Sequence, residues 1–140
     1  MGRMPPDEII DPGIRNLIRI INTYEHFETC FSCEGHIRND NYVYSDWAYV
    51  AMGLIHPTKQ DIDFLRSLEK QYLTDDIVRA SIQISFHGPT LSLNANPVIT
   101  TRRNGVPIPY DRLRSSLDLV NREFVHVLEN DFKTYIGNQR

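Results

Sequence analysis

Eleven consecutive positions, His26 to His36, hold two histidines, two cysteines and two glutamates. Cysteine and histidine at close spacing are zinc ligands, but four of them in so short a run leave little chain to wrap a tetrahedron. A structural site recruits a second pair from farther along, and Cys30 and Cys33 are the only cysteines. On a strand, moreover, Cys30 faces away from Phe31 and Cys33, because side chains alternate. These points argue against zinc, and no metal ligands are assigned. Cys30-Phe-Ser-Cys33 is formally a C-x-x-C pair. A dithiol centre, however, wants its first cysteine at a helix N-terminus, where the dipole stabilises the thiolate. Here the pair closes a strand-like segment, so Cys30 reads as a small core residue.

The turn Ser32-Cys33-Glu34-Gly35-His36 carries the candidate chemistry. Gly35 permits a positive φ or a close approach to a ligand. Glu34 and His36 form an acid/base pair, histidine being the side chain that titrates near neutrality. Cys33 stands at the junction of strand and turn. Candidate catalytic residues are therefore His36, Cys33 and Glu34, with Ser32 and Gly35 lining the site. A polar turn around a buried thiol explains the same residues, and the sequence leaves both readings open.

Other candidates lie farther along. Gln83, Ser85, His87, Ser92 and Asn94 would share the polar side of two neighbouring strands, which is also what a solvated sheet face looks like. Trp47 and Tyr49 have one parity and could wall that face or enter the core. Arg102 and Arg103, beside Asn104-Gly105, could clamp an anion or form a plain solvated turn. His56 precedes Pro57 as a connection residue, and His126 falls off the apolar stripe of its helix. The ligand-binding set is thus Ser32, Gly35, Trp47, His87, Asn94, Arg102 and Arg103.

The elements that must position these residues follow from periodicity. Asp11-Pro12 is a helix start, and Ile14, Leu17, Ile18 and Ile21 give the i, i+3, i+4, i+7 spacing of a helix over 13–24. Phe27 to Ser32 reads as a strand and 37–45 as a loop or hairpin connection. Trp47 to Ile55, apolar on both faces, reads as a central strand. Thr58-Lys-Gln-Asp61 is a capping-box variant opening a helix that runs to Tyr72. Ala80, Ile82, Ile84 and Phe86 alternate with polar residues, as do Leu91, Leu93 and Ala95, and His87-Gly88-Pro89 joins the two strands. Pro97 to Pro109 holds Asn104-Gly105, the best tight-turn dipeptide, and is a loop, small hairpin or flap. Leu113, Leu117, Val120, Phe124, Leu128 and Tyr135 mark a long closing helix. The expected fold is α+β: a mostly antiparallel four-stranded sheet with about three helices on one face, in the order α-β-β-α-β-β-α.

The 140 residues, 41% hydrophobic and 24% charged, suffice for one domain with a real core, preceded by a flexible stretch over 1–10. A net charge of −3 removes the simplest case for nucleic-acid binding, though a few local basic residues could serve. No apolar run is long enough to span a bilayer, the N-terminus lacks the order of a secretory signal, and two cysteines imply a reducing cytoplasm. There is no G-x-G-x-x-G, P-loop, H-E-x-x-H or G-x-S-x-G, which sets aside the chemistries those motifs serve.

The pattern Asp11-x-x-Ile14-x-x-Leu17-Ile18-x-x-Ile21-Asn22, followed by Phe27-x-Thr29-x-x-Ser32-Cys33-x-Gly35-His36-Ile37, resembles the opening of the wybutosine-synthesising tRNA methyltransferase family. That family has a helix ending in Ile-Asn and a strand leading into Ser-Cys-Ser-Gly-Arg. This chain has Glu34 for the second serine and His36 for the arginine. The turn is similar also to short uncharacterised bacterial and phage proteins with Thr-x-x-Ser-Cys-x-Gly-His. The methyltransferase resemblance implies S-adenosylmethionine as cofactor, tRNA as partner, and Ser32, Cys33 and Gly35 lining the substrate or cofactor site. Apart from it, no cofactor is assigned. The residues themselves suggest a small-molecule or nucleotide-directed enzyme or binding domain. The alternatives are a tRNA-modifying methyltransferase and a non-catalytic interaction domain docking a partner, a second copy of the chain among them.

Overall fold

The computed structural model describes residues 10–35, 37–38, 44–45, 48–74, 78–87, 90–96, 98–99 and 102–139. A 3-10 turn at Pro12–Ile14 leads into α1 (Arg15–Asn22), then β1 (Phe27–Cys33). Two short strands, β2 (Ile37–Arg38) and β3 (Tyr44–Ser45), pair with each other. They are followed by β4 (Ala48–Leu54), α2 (Lys59–Ser67), β5 (Lys70–Thr74), β6 (Val78–His87), β7 (Thr90–Ala95) and β8 (Val98–Ile99). β9 (Arg102–Arg103) and β10 (Val106–Pro107) form a hairpin, and α3 (Tyr110–Asn138) closes the chain. The long elements thus follow the expected order α-β-β-α-β-β-α.

The main sheet runs β1-β4-β7-β6-β5, antiparallel throughout, and β8 pairs with the first residues of β6. Alternation sorts its side chains. Phe27 and Thr29 of β1, Ala48, Val50 and Met52 of β4, Leu91, Leu93 and Ala95 of β7, and Ala80 and Ile82 of β6 are buried. They pack with Leu17, Ile18 and Ile21 of α1, Leu65 of α2 and one stripe of α3. α3 has 29 residues, ~44 Å of helix, enough to cross the whole sheet. Its first half packs Leu113, Leu117 and Val120 on Val78 and Ala80. Phe124, Leu128 and Phe132 continue the contact into the larger core. Every residue of the expected α3 stripe is buried.

Three local readings change. α2 ends at Ser67 rather than Tyr72, and Lys70–Thr74 adds a fifth strand beside β6. Leu65 and Leu68 are buried as a helical stripe requires, but pairing with β6 captures the residues that follow. Second, the β1–β4 register shifts between Thr29 and Phe31, so Cys30 is a bulge residue. Strict alternation therefore fails there. Cys30 and Phe31 are both exposed, and Cys30 is not the core residue its neighbours suggested. Third, Asp11 flanks the 3-10 turn without capping it through its own side chain.

The remaining turn chemistry follows the residues. Asn104 and Gly105 have φ of 52° and 78°, the pair of positive values that a two-residue type I′ hairpin demands. Thr58 and Asp61 form the expected reciprocal capping box. At the outer edge of β1, the Thr29 N–H donates to Asn22 Oδ1 at 3.1 Å, and Asn22 Nδ2 donates to Thr29 Oγ1 at 2.8 Å. The last residue of α1 thus occupies backbone valence that an edge strand would otherwise leave open.

Candidate functional site

The chain bends immediately after β1, and three contacts hold the bend. The Glu34 N–H donates to Asp11 Oδ2 at 3.0 Å. In return the Gly13 N–H donates to Glu34 Oε2 at 2.8 Å, so the 3-10 turn is capped by a carboxylate 21 residues away. The Gly35 N–H reaches the Cys33 sulfur at 3.4 Å. Gly35 itself has φ of +90°, and a Cβ built there would lie 2.4 Å from Asn121 Nδ2. Only glycine satisfies both the backbone and the helix against it.

Between this bend and α3 lies a cavity of about 230 Å³. Glu34 and Gly35 line one side, and Asp118, Asn121, Arg122 and Val125 of α3 the other. Positions 118, 121, 122 and 125 have the i, i+3, i+4, i+7 spacing of a single helix face. Asn121 is 6% exposed, and its Oδ1 is buried with no hydrogen-bond partner among the described residues. An unsatisfied buried carbonyl costs roughly 1–3 kcal/mol unless something supplies a donor. Asp118 is partly exposed and lies 3.9 Å from Arg114 Nε, one turn earlier; Arg122 is exposed. The cavity therefore gathers carboxylates, an amide and a guanidinium.

Sequence reasoning placed Glu34 and Gly35 in a site and missed Asp118, Asn121 and Arg122. On α3 these look like ordinary polar positions, and only their distance from Gly35 in space singles them out. Glu34, expected as an acid/base group, is tied to the start of the fold through Gly13. His36 and Trp47 lie outside the described residues.

The other expected site residues divide between places. Cys33, Tyr49, Asn94 and Gln83 are successive cross-strand partners over four strands, on the face turned away from the helices. Asn94 is buried there, at 8% exposed. Gln83, Ser85 and His87 share that face with Ser92 and Asn94, as expected. His87 stands four residues beyond Gln83, roughly 13 Å along the strand, and is exposed. Ser32 pairs with Val50 and lines a second cavity of about 210 Å³, with Cys30, Phe31 and Tyr49. Arg102 and Arg103 are exposed on their hairpin. Neither they, His87 nor Asn94 line the cavity at Gly35.

A second polar cluster was not foreseen. Asp61, fully buried, accepts hydrogen bonds from Tyr24 at 3.2 Å, from the Thr58 N–H at 2.8 Å and from the Tyr135 hydroxyl. His26 Nδ1 lies 2.6 Å from its Oδ2. Burial raises the carboxyl pKa, but the bonds from Tyr135, Thr58 and His26 outweigh it and hold it at about 2. Tyr135 is pushed well up by burial and by the Asp61 carboxylate, and Tyr24 is raised for the same two reasons. Tyr135 also stacks on Phe64, with ring centroids 4.0 Å apart and planes 5° from parallel. The cluster joins both ends of the chain's helical layer to the start of α2. Among the described residues, no three His, Cys, Asp or Glu side chains form a metal-ligand set, and no helix is long and apolar enough to cross a membrane.

The architecture is that of an antiparallel α+β domain with a cavity at one end of its sheet. No protein-family model and no curated protein matches the chain. Among solved structures it is similar to one described as the structure of PH1069 protein from Pyrococcus horikoshii. The TM-score is 0.46 at 13% identity, covering 96% of this chain and 87% of that one.

Proposed function

We propose that this domain binds a small polar molecule, or one end of a nucleotide-sized molecule, in the cavity between Gly35 and α3. The observation that carries the reading is the meeting of Glu34, Asp118, Asn121 and Arg122 around a void beside Gly35, where a Cβ would displace the Asn121 side chain from the cavity wall. Convergent polar groups in a concavity are what a ligand site requires. His36, next to Gly35 in the chain, is the candidate acid/base residue if the domain is an enzyme. Two cysteines outside any disulfide suit a reducing, cytoplasmic setting.

A second reading takes the ligand to be S-adenosylmethionine and the activity to be tRNA modification. It rests on the resemblance of the opening segment, in which Asn22 and Thr29 bond to each other and brace the strand leading to Gly35. Of the residues the resemblance puts in the site, Gly35 lines the cavity, whereas Ser32 and Cys33 point elsewhere.

The test is a thermal-shift and calorimetry panel of nucleotides, amino acids and S-adenosylmethionine against the wild type, Gly35→Ala and His36→Ala. A ligand at 100 times its Kd adds ~2.7 kcal/mol of stability. Binding lost in Gly35→Ala supports the cavity. Silence of the whole panel, or binding untouched by Gly35→Ala, overturns it.

A further inference from the structure

We infer that the group entering the Gly35 cavity is zwitterionic, an ammonium and a carboxylate on adjacent atoms, as in an α-amino acid. This rests on the reading above and specifies the chemistry of that same site.

The volume comes first. About 230 Å³ is below the ~300–1,000 Å³ of sites that enclose a whole drug-sized ligand. The space suits an amino-acid-sized group, with any larger remainder projecting outward. The charges come second. Asp118 and Arg122 are i, i+4 neighbours on α3, so a carboxylate and a guanidinium border the same opening side by side. A purely anionic ligand would meet like charge at Glu34 and at Asp118, whose Arg114 neighbour stands 3.9 Å away, and a purely cationic one would meet it at Arg122. A zwitterion satisfies both, and a guanidinium can hold its carboxylate through two parallel bonds. Third, Asn121 lies between the two on the helix, with a buried Oδ1 that has no donor among the described residues. An ammonium carries three donors, one of which can answer that carbonyl without loss of the contact to Asp118. Glu34 adds a second carboxylate to the wall: its Oε2 accepts from Gly13, and the group keeps acceptor capacity for another donor of the ammonium.

The amino-acid group can come from a free amino acid or from a larger molecule that carries one. The test distinguishes them by calorimetry with three probes: L-methionine, S-adenosylhomocysteine, and 5′-methylthioadenosine, which has the nucleoside and thioether but no amino-acid end. We expect methionine, S-adenosylhomocysteine or both to bind, and 5′-methylthioadenosine to bind at least about tenfold more weakly. Arg122→Gln and Asp118→Asn, both at solvent-accessible positions, should each weaken the bound probe by roughly tenfold or more while the thermal midpoint without ligand is unchanged. If 5′-methylthioadenosine binds as tightly as S-adenosylhomocysteine and neither substitution matters, the zwitterion is wrong. Sensitivity of that binding to Gly35→Ala would then still uphold the cavity. If no probe binds, the inference falls, and the broader panel decides whether the cavity falls with it.

Discussion

His26 Nδ1 lies 2.6 Å from Oδ2 of Asp61, a carboxylate with no exposed surface, and the two residues are 35 positions apart. Tyr24, Thr58 and Tyr135 complete the shell. Because this carboxylate is surrounded by donors, it stays ionised in the interior, and the fold depends on that ionisation. Asp61→Asn leaves part of the shell without an anion to bond, and should cost about 3 kcal/mol. That corresponds to a fall of ~10 °C in Tm for a chain of this size. Differential scanning calorimetry of the variant checks it; a change under about 1 kcal/mol would show the cluster to be dispensable.

The same carboxylate sets an acid limit. Its pKa is lowered from 3.8 to about 2 in the folded chain. The unfolded state therefore binds the proton first as pH drops, and the stabilisation is fully present above the unfolded value. It is lost as pH falls from 3.8 through about 2. Denaturant unfolding between pH 5 and about 2 should show wild-type stability falling more steeply than that of Asp61→Asn. Parallel curves would contradict the assignment.

Gly35→Ala should destabilise by roughly 1–3 kcal/mol, from backbone strain at φ of +90° together with the collision with Asn121. The two causes separate in a double-mutant cycle. In an Asn121→Ala background the steric part disappears and the backbone part remains, so Gly35→Ala should cost less there, by at least about 0.5 kcal/mol. Additive effects would mean that Gly35 and Asn121 do not touch in solution.

Glu34 discriminates between architecture and chemistry. As the carboxylate that caps Gly13, its replacement by alanine should cost about 1 kcal/mol. Glu34→Gln keeps an oxygen acceptor and should lose only a few tenths. Chemical denaturation of both variants measures this directly. Equal losses would show that charge, not the hydrogen bond, holds the turn.

The two thiols should differ in reactivity. Cys30 is exposed at the β1 bulge, while Cys33 is half-buried beside the Gly35 N–H. A disulfide reagent should therefore label Cys30 first, in mass-spectrometric time courses on native protein. Cys30→Ser should alter stability by less than about 0.5 kcal/mol. Faster labelling of Cys33 would contradict the placement of the bulge.

The amino-acid order by itself determined what depends on near neighbours. The α3 stripe, the alternation of β6 and β7, the Thr58–Asp61 capping box and the Asn104-Gly105 turn all come from residues within a few positions of one another. Such patterns are readable because helices and strands have fixed periods and tight turns have fixed dihedral demands. The tertiary structure alone decided the rest. Pairing with β4 inserted the bulge that turned Cys30 outward, and pairing with β6 took Lys70–Thr74 from the end of α2. Folding brought Asn121 against Gly35, and Tyr24, His26 and Tyr135 around Asp61. Apart from β5, which forms a hairpin with β6, none of these partners is within a turn or a hairpin of the residue it meets. Which polar side chain becomes a core anchor and which a cavity wall is set by packing between distant segments, and no local period records that.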